Sequence, residues 1–148
     1  PSFVAPVPKG EYRVPIGVAD VKRAGKDLSL VAHGAALRHA LAAAEALSGE
    51  GVEVEVIDLR TLVPLDLETV LASVAKTRRL VIAHDATRFC GPGAEIAAAV
   101  SAELHGELLA PVGRVGGTFT PVPHAATLEA LHSVNAGAIV AALRKAIG

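Results

Sequence analysis

Eight residues have types and spacings that could meet a ligand or a partner: His33, Gly34, Asp58, Arg60, His84, Asp85, Gly91 and His124. His84-Asp85 offers a general base beside an orienting acid. Adjacent residues rarely face each other in that way, so the better role for His84 is structural or contact-making, its imidazole satisfying backbone groups. Cys90 as a nucleophile needs a lowered thiol pKa and a facing base, and nothing in the sequence supplies both. Asp58 and Arg60 read as a loop-fixing ion pair with hydrogen bonds to the backbone, although perturbed pairs also mark sites. His33, His39, His84, His105, His124 and His132 show none of the recurring spacing of a zinc site. Gly91-Pro92-Gly93 resembles half of a dinucleotide fingerprint, but Ile96 stands at the third glycine position and the fingerprint fails. A helix start there could attract an anion. Backbone geometry that admits no Cβ is the better reason for the glycines. No catalytic, cofactor-binding or metal residue is therefore assigned.

These residues need elements to place them. Leu28-Ser29-Leu30-Val31-Ala32 reads as a buried strand, turned by His33-Gly34 into a helix over residues 35–47. Gly49 and Gly51 bracket the end of that helix, as a left-handed cap requires. Val52, Val54 and Val56 alternate with Glu53 and Glu55, which predicts a strand with one exposed face near a sheet edge. Asp66 caps a helix with Leu67, Val70, Leu71 and Val74 inward. Residues 80–83 form a wholly apolar run suited to a strand buried on both faces. A helix follows Gly91 to Gly93, with Ile96, Val100 and Leu104 inward. A strand over 112–115, a Pro- and Gly-rich loop and a last helix over 135–147 complete the chain. A short strand near 19–22 precedes them all. The alternation predicts a three-layer α/β/α domain with a mostly parallel sheet of about five strands. In such a sheet ligands sit at the carboxyl ends of the strands, which would gather His33, Gly34, Asp58, Arg60, His84, Asp85 and Gly116.

Composition narrows the function. The 148 residues suit one domain with a real core, here residues 16–148 behind a Pro-rich arm or linker over 1–15. Aromatics are only 3% and the net charge is -1, so neither the stacking platform nor the basic footprint of a nucleic-acid binder is present. A single cysteine permits no internal disulfide, and a cytoplasmic site is the default. No run approaches the roughly 18 apolar residues of a membrane span. The chain has no Met and begins Pro1-Ser2-Phe3, which points to a piece of a longer polypeptide.

Val56-Ile57-Asp58-Leu59-Arg60-Thr61 with Pro64, His84-Asp85-Ala86, Gly91 with Gly93-Ala94-Glu95-Ile96 and Pro121-Val122-Pro123 stand in one order within a match from about Pro8 to Ile147, and together they resemble the C-terminal domain of the β subunit of thiamine-diphosphate-dependent 2-oxo acid dehydrogenases, a transketolase C-terminal-like domain. The strongest is Val56-Ile57-Asp58-Leu59-Arg60-Thr61 with Pro64. Gly10-Glu11-Tyr12-Arg13-Val14-Pro15-Ile16-Gly17 resembles the way the family's chain comes into this domain. His84-Asp85-Ala86 is similar to its His-Glu-Ala, Gly91 with Gly93-Ala94-Glu95-Ile96 to its glycine-opened helix, and Pro121-Val122-Pro123 to its late Pro-x-Pro. Cys90 stands where the family has a glycine, Pro92 where it has Phe, and Phe119 where it has Asp.

The resemblance implies an assembly role within a larger enzyme. The parent would decarboxylate a 2-oxo acid of pyruvate, branched-chain or acetoin type and acylate a lipoyl group, with thiamine diphosphate and Mg²⁺ held on other domains and none on this chain. Its implied partners are an α subunit or diphosphate-binding domain, a second β subunit and the acyltransferase core, with no nucleic acid and no membrane. The loops bearing His84 to Gly91 and residues 118–124 are the expected contact surface. Two other readings stay open: a free-standing α/β module binding a small anion at the strand ends, and a small enzyme using His84, Asp85 and Cys90.

Overall fold

The structure is a computed structural model that describes residues 8–148. Half of the expected arm, residues 1–7, lies outside the described residues, and residues 8–19 form no helix or strand. The ordered elements are β1 (Asp20–Arg23), β2 (Leu28–Ala32), α1 (Ala36–Ser48), β3 (Val54–Asp58), α2 (Leu67–Thr77), β4 (Leu80–Thr87), α3 (Pro92–Glu103), β5 (Gly113–Gly117), α4 (Ala126–His132) and α5 (Ala136–Ile147).

The five strands form one sheet in the order β1-β3-β2-β4-β5. Strands β3, β2, β4 and β5 run parallel, and β1 is antiparallel to β3. The sheet has a core on each face. On one, Leu28, Leu30, Val54, Val56 and Val81 pack against α1 and α5 through Ala40, Ala44, Leu47, Ile139 and Leu143. On the other, Val31, Ile57, Leu80 and Ile82 pack against α2 and α3 through Val70, Val74, Ile96 and Val100. Both faces are covered because parallel strands need crossover helices, and this is why β2 is buried at every position.

Four expectations are corrected. β3 lies near the sheet edge, next to β1, but its alternating Val and Glu do not mark an exposed face: α2 packs over the Glu55 side, and Glu55 is buried. A buried carboxylate needs partners, and Glu55 has the Lys76 ammonium and the Gly25 amide. Gly49 is right-handed, and the left-handed residue after α1 is Gly51, at φ 82°. The loop after β5 contains a further short helix, α4, none of whose residues is buried. Residues Ala126–Ile147 together are long and apolar enough to cross a membrane by composition. Residues 133–135 break that stretch into α4 and α5, and Ile139, Leu143 and Ala146 of α5 are buried against the sheet.

Sequence signals and structure agree where a local rule decides. Asp66 caps α2 by accepting from the Thr69 amide at 3.0 Å. It also accepts from the Ala19 amide at 2.8 Å, and Gly17 N–H donates to Thr61 Oγ1 at 3.0 Å. The segment before β1 is thus tied to the loop of the strongest sequence match.

Candidate functional site

The parallel register brings the strand ends level: Ala32 lies beside Asp58 on one side and Ala83 on the other, and Ala83 beside Val115. One residue further on, His33 and His84 meet as stacked rings with centroids 5.9 Å apart. His84 is 1% exposed. Its Nε2 accepts from the Gly93 amide at 3.2 Å, so Nδ1 carries the proton and donates to the Ala86 carbonyl at 3.0 Å. Both ring nitrogens are committed to backbone. Burial holds the His84 pKa below its ordinary value, and the positive charge of Arg114 and the neighbouring His33 push the same way. His84 is a neutral latch joining β4 to the first turn of α3.

Three glycines make room for that ring. A Cβ on Gly93 would lie 2.6 Å from His84 Nε2, and one on Gly91 would lie 2.8 Å from Cε1 and 2.0 Å from the Thr87 carbonyl. On Gly116 it would stand 3.0 Å from Cε1. The glycine-rich start of α3 is therefore a packing device, as the failed fingerprint implies.

The other candidates scatter. Asp58 Oδ1 accepts from the Arg60 amide at 3.1 Å, but the Arg60 guanidinium turns to Asp20 at 2.6 Å, so the expected Asp58–Arg60 ion pair is corrected to Arg60–Asp20. Hydrogen bonding to Lys22, with Arg60 adding its charge, keeps the Asp20 carboxyl below the usual range against the opposing effect of burial. Asp85 and His124 are exposed. Gly34 takes φ 62°. Cys90 is exposed at φ 53°, a left-handed backbone that explains why glycine suits its position. His33 Nε2 is buried without a hydrogen-bond partner. Among the described residues no three His, Cys, Asp or Glu side chains are placed to hold a metal ion.

Two groupings escaped the sequence. Ser29 in the buried strand β2 shares hydrogen bonds with Ser73 at 2.6 Å and Thr77 at 2.7 Å. Ser73 and Thr77 stand four apart on α2, a helical spacing that hints at a shared face but not at a partner. Phe89 and Phe119 meet with ring centroids 4.9 Å apart and planes at 60° while remaining 61% and 71% exposed. They join the two loops expected to form a contact surface.

The family described as transketolase, C-terminal domain matches residues 17–139. The chain belongs to that family. It is 45% identical over 139 residues to the acetoin:2,6-dichlorophenolindophenol oxidoreductase subunit beta of Cupriavidus necator, covering 94% of this chain and 41% of that one. It is 44% identical over 122 residues to the pyruvate dehydrogenase E1 component subunit beta of Staphylococcus epidermidis, covering 82% and 38%. The chain thus spans about two fifths of the length of these relatives. Among solved structures, a split gene transketolase described as an inactive beta4 tetramer superposes with a TM-score of 0.80 at 30% identity, over 92% of this chain and 44% of that one. The expected three-layer α/β/α fold and the family resemblance are both confirmed. In this chain His84 packs against Gly91 and Gly93 at the β4–α3 turn and against Gly116 on β5.

Proposed function

We propose that this chain is the C-terminal assembly domain of the β subunit of a thiamine-diphosphate-dependent 2-oxo acid dehydrogenase, of pyruvate, branched-chain or acetoin type. The observation that carries the proposal is 45% identity across nearly the whole chain to a β subunit of an acetoin oxidoreductase. On this reading the parent decarboxylates its substrate and passes the acyl group to a lipoyl arm. Thiamine diphosphate and Mg²⁺ bind its other domains, and residues 1–15 are the linker from them. The partners are the α subunit, a second β subunit and the acyltransferase core, in the cytoplasm. The exposed Phe89–Phe119 pair supports a contact role for its two loops, and His124 on the second loop is available to the same partner. The test is to assay the whole β subunit carrying this chain, with its α partner, thiamine diphosphate and Mg²⁺, for dye reduction driven by pyruvate, branched-chain 2-oxo acids or acetoin. No turnover with any of the three would overturn the proposal.

A second reading, binding of a small anion at the strand ends, draws on the unpartnered His33 Nε2 beside Gly34 and the start of α1. Titrating inorganic phosphate while following the His33 ring by NMR tests it. An unmoved His33 resonance at millimolar phosphate would remove it.

A further inference from the structure

The sheet ends at β5, which pairs only with β4. Among the described residues nothing pairs with the backbone groups on its outer edge. An open edge is a template for another strand, and native proteins usually blunt it with charge or short length. This edge is short and carries charge, but it is also hollow. A cavity of about 430 Å³ lies against it, lined by Arg88 and Arg114 from one side and Ala142 and Lys145 from the other. A second cavity of about 570 Å³ shares Arg88, Arg114 and Ala142 with the first and extends to Phe89 and Phe119. Arg114 lies on the α3 face of the sheet, beside Gly116, which packs on His84. Ala142 lies on α5, which covers the opposite face. Side chains from both faces can line one space only if that space lies off the strand edge.

The electrostatics of this groove are one-sided. Arg88, Arg114 and Lys145 line it, and no carboxylate does. None of the three is in an ion pair among the described residues. The Arg114 guanidinium donates to the Arg88 carbonyl at 3.1 Å, which fixes its head over the groove. A second copy of β5, itself bearing Arg114, would be repelled. We propose that the outer edge of β5 is a docking groove for an extended acidic peptide of a partner protein. The peptide adds as a sixth strand, its carboxylates facing Arg88, Arg114 and Lys145 and an apolar residue seated at Phe89 and Phe119. Strand addition takes its affinity from main-chain hydrogen bonds and its selectivity from flanking side chains. Five residues of β5 offer roughly 17 Å of edge at about 3.3 Å per residue. The groove borders the strand-end cluster at Gly116 and shares the Phe89–Phe119 pair with the proposed contact loops, but binding of an acidic strand here does not require the β-subunit reading.

The experiment titrates the 148-residue chain into a fluorescein-labelled peptide of alternating Glu and Val ending in Phe, followed by anisotropy. Saturable binding is expected, weakened at least about tenfold by Lys145→Glu and further by Arg114→Glu. The same peptide N-methylated on every amide keeps its charge but cannot donate along either edge, and should also bind at least about tenfold more weakly. Equal binding of the methylated peptide, or of one with Lys in place of Glu, would overturn strand addition or charge selection respectively. A groove that takes inorganic triphosphate but not the peptide would be a small-anion site instead. Self-association lost in Lys145→Glu, with no peptide binding, would assign the edge to a second copy. If Arg114→Glu does not fold, exposed Lys145→Glu and the methylated peptide still decide.

Discussion

The amide of Gly93 donates to Nε2 of His84, and a Cβ on Gly93 would stand 2.6 Å from that same atom. One glycine thus supplies both the hydrogen bond that fixes the imidazole tautomer and the space the ring occupies. A methyl group cannot fit there without pushing the ring off its bond. Gly93→Ala should therefore lose about 1–3 kcal/mol of stability, the usual cost of overpacking a tight core. Urea denaturation measures this. A midpoint equal to wild type would mean that α3 moves aside freely.

The lowered His84 pKa predicts an acid-sensitive latch. In the unfolded chain His84 takes a proton near its ordinary value of 6.5, while in the folded chain it resists. The unfolded state then binds more protons, so stability falls as pH drops from 6.5 toward the folded pKa and is fully present above 6.5. His33, Arg114 and Asp85 are the charged or titratable groups that bear on it, and protonation would also cost the Gly93 bond. His84→Gln should flatten this part of the stability–pH curve. Thermal melts of both proteins between pH 5 and pH 8 check it, and identical slopes would count against the latch.

Gly34 sits at φ 62° with open space where a Cβ would point. Its constraint is conformational and not steric contact. Gly34→Ala should cost roughly 1 kcal/mol, the order of the left-handed penalty for an L-residue. Gly34→Val should cost more because a β-branched side chain resists that backbone further. Melting temperatures ranking Gly above Ala above Val are expected, and an unchanged melt for Val would refute this.

Phe89 and Phe119 should govern association. Their paired rings leave apolar surface in water, and for an approach that keeps the Arg114-bearing edges of β5 apart the net charge of -1 provides little repulsion between copies. A Phe89→Ser, Phe119→Ser double variant should weaken any dimer by at least about tenfold, or 1.4 kcal/mol. Sedimentation over a range of micromolar concentrations reads this. A wild-type chain that stays monomeric throughout would remove these loops from the assembly surface.

Thiamine diphosphate with Mg²⁺ should not bind this chain tightly. The strand ends hold a backbone-committed histidine and no gathered metal ligands among the described residues. Calorimetry should show no micromolar site, an affinity that would be worth about 8 kcal/mol.

The sequence alone determined what local rules control. Alternating apolar segments set the order of strands and helices, Asp66 marked the start of α2, and Gly91 and Gly93 announced a tight strand-to-helix turn. Its family segments, led by residues 56–61 with Pro64, were enough to place the chain. Where a side chain's partner is distant, only the tertiary structure decided. Glu55 looked solvent-facing because period-two alternation records polarity, not what covers the strand. Its partner Lys76 stands 21 residues away. Arg60 looked like the mate of Asp58, yet the antiparallel β1 delivers Asp20 from 40 residues away. The groove at β5 joins Arg88 of the β4–α3 loop, Arg114 of β5 and Lys145 of α5. No spacing in the chain relates these residues, because strand order in a sheet is set by crossover packing and not by sequence distance.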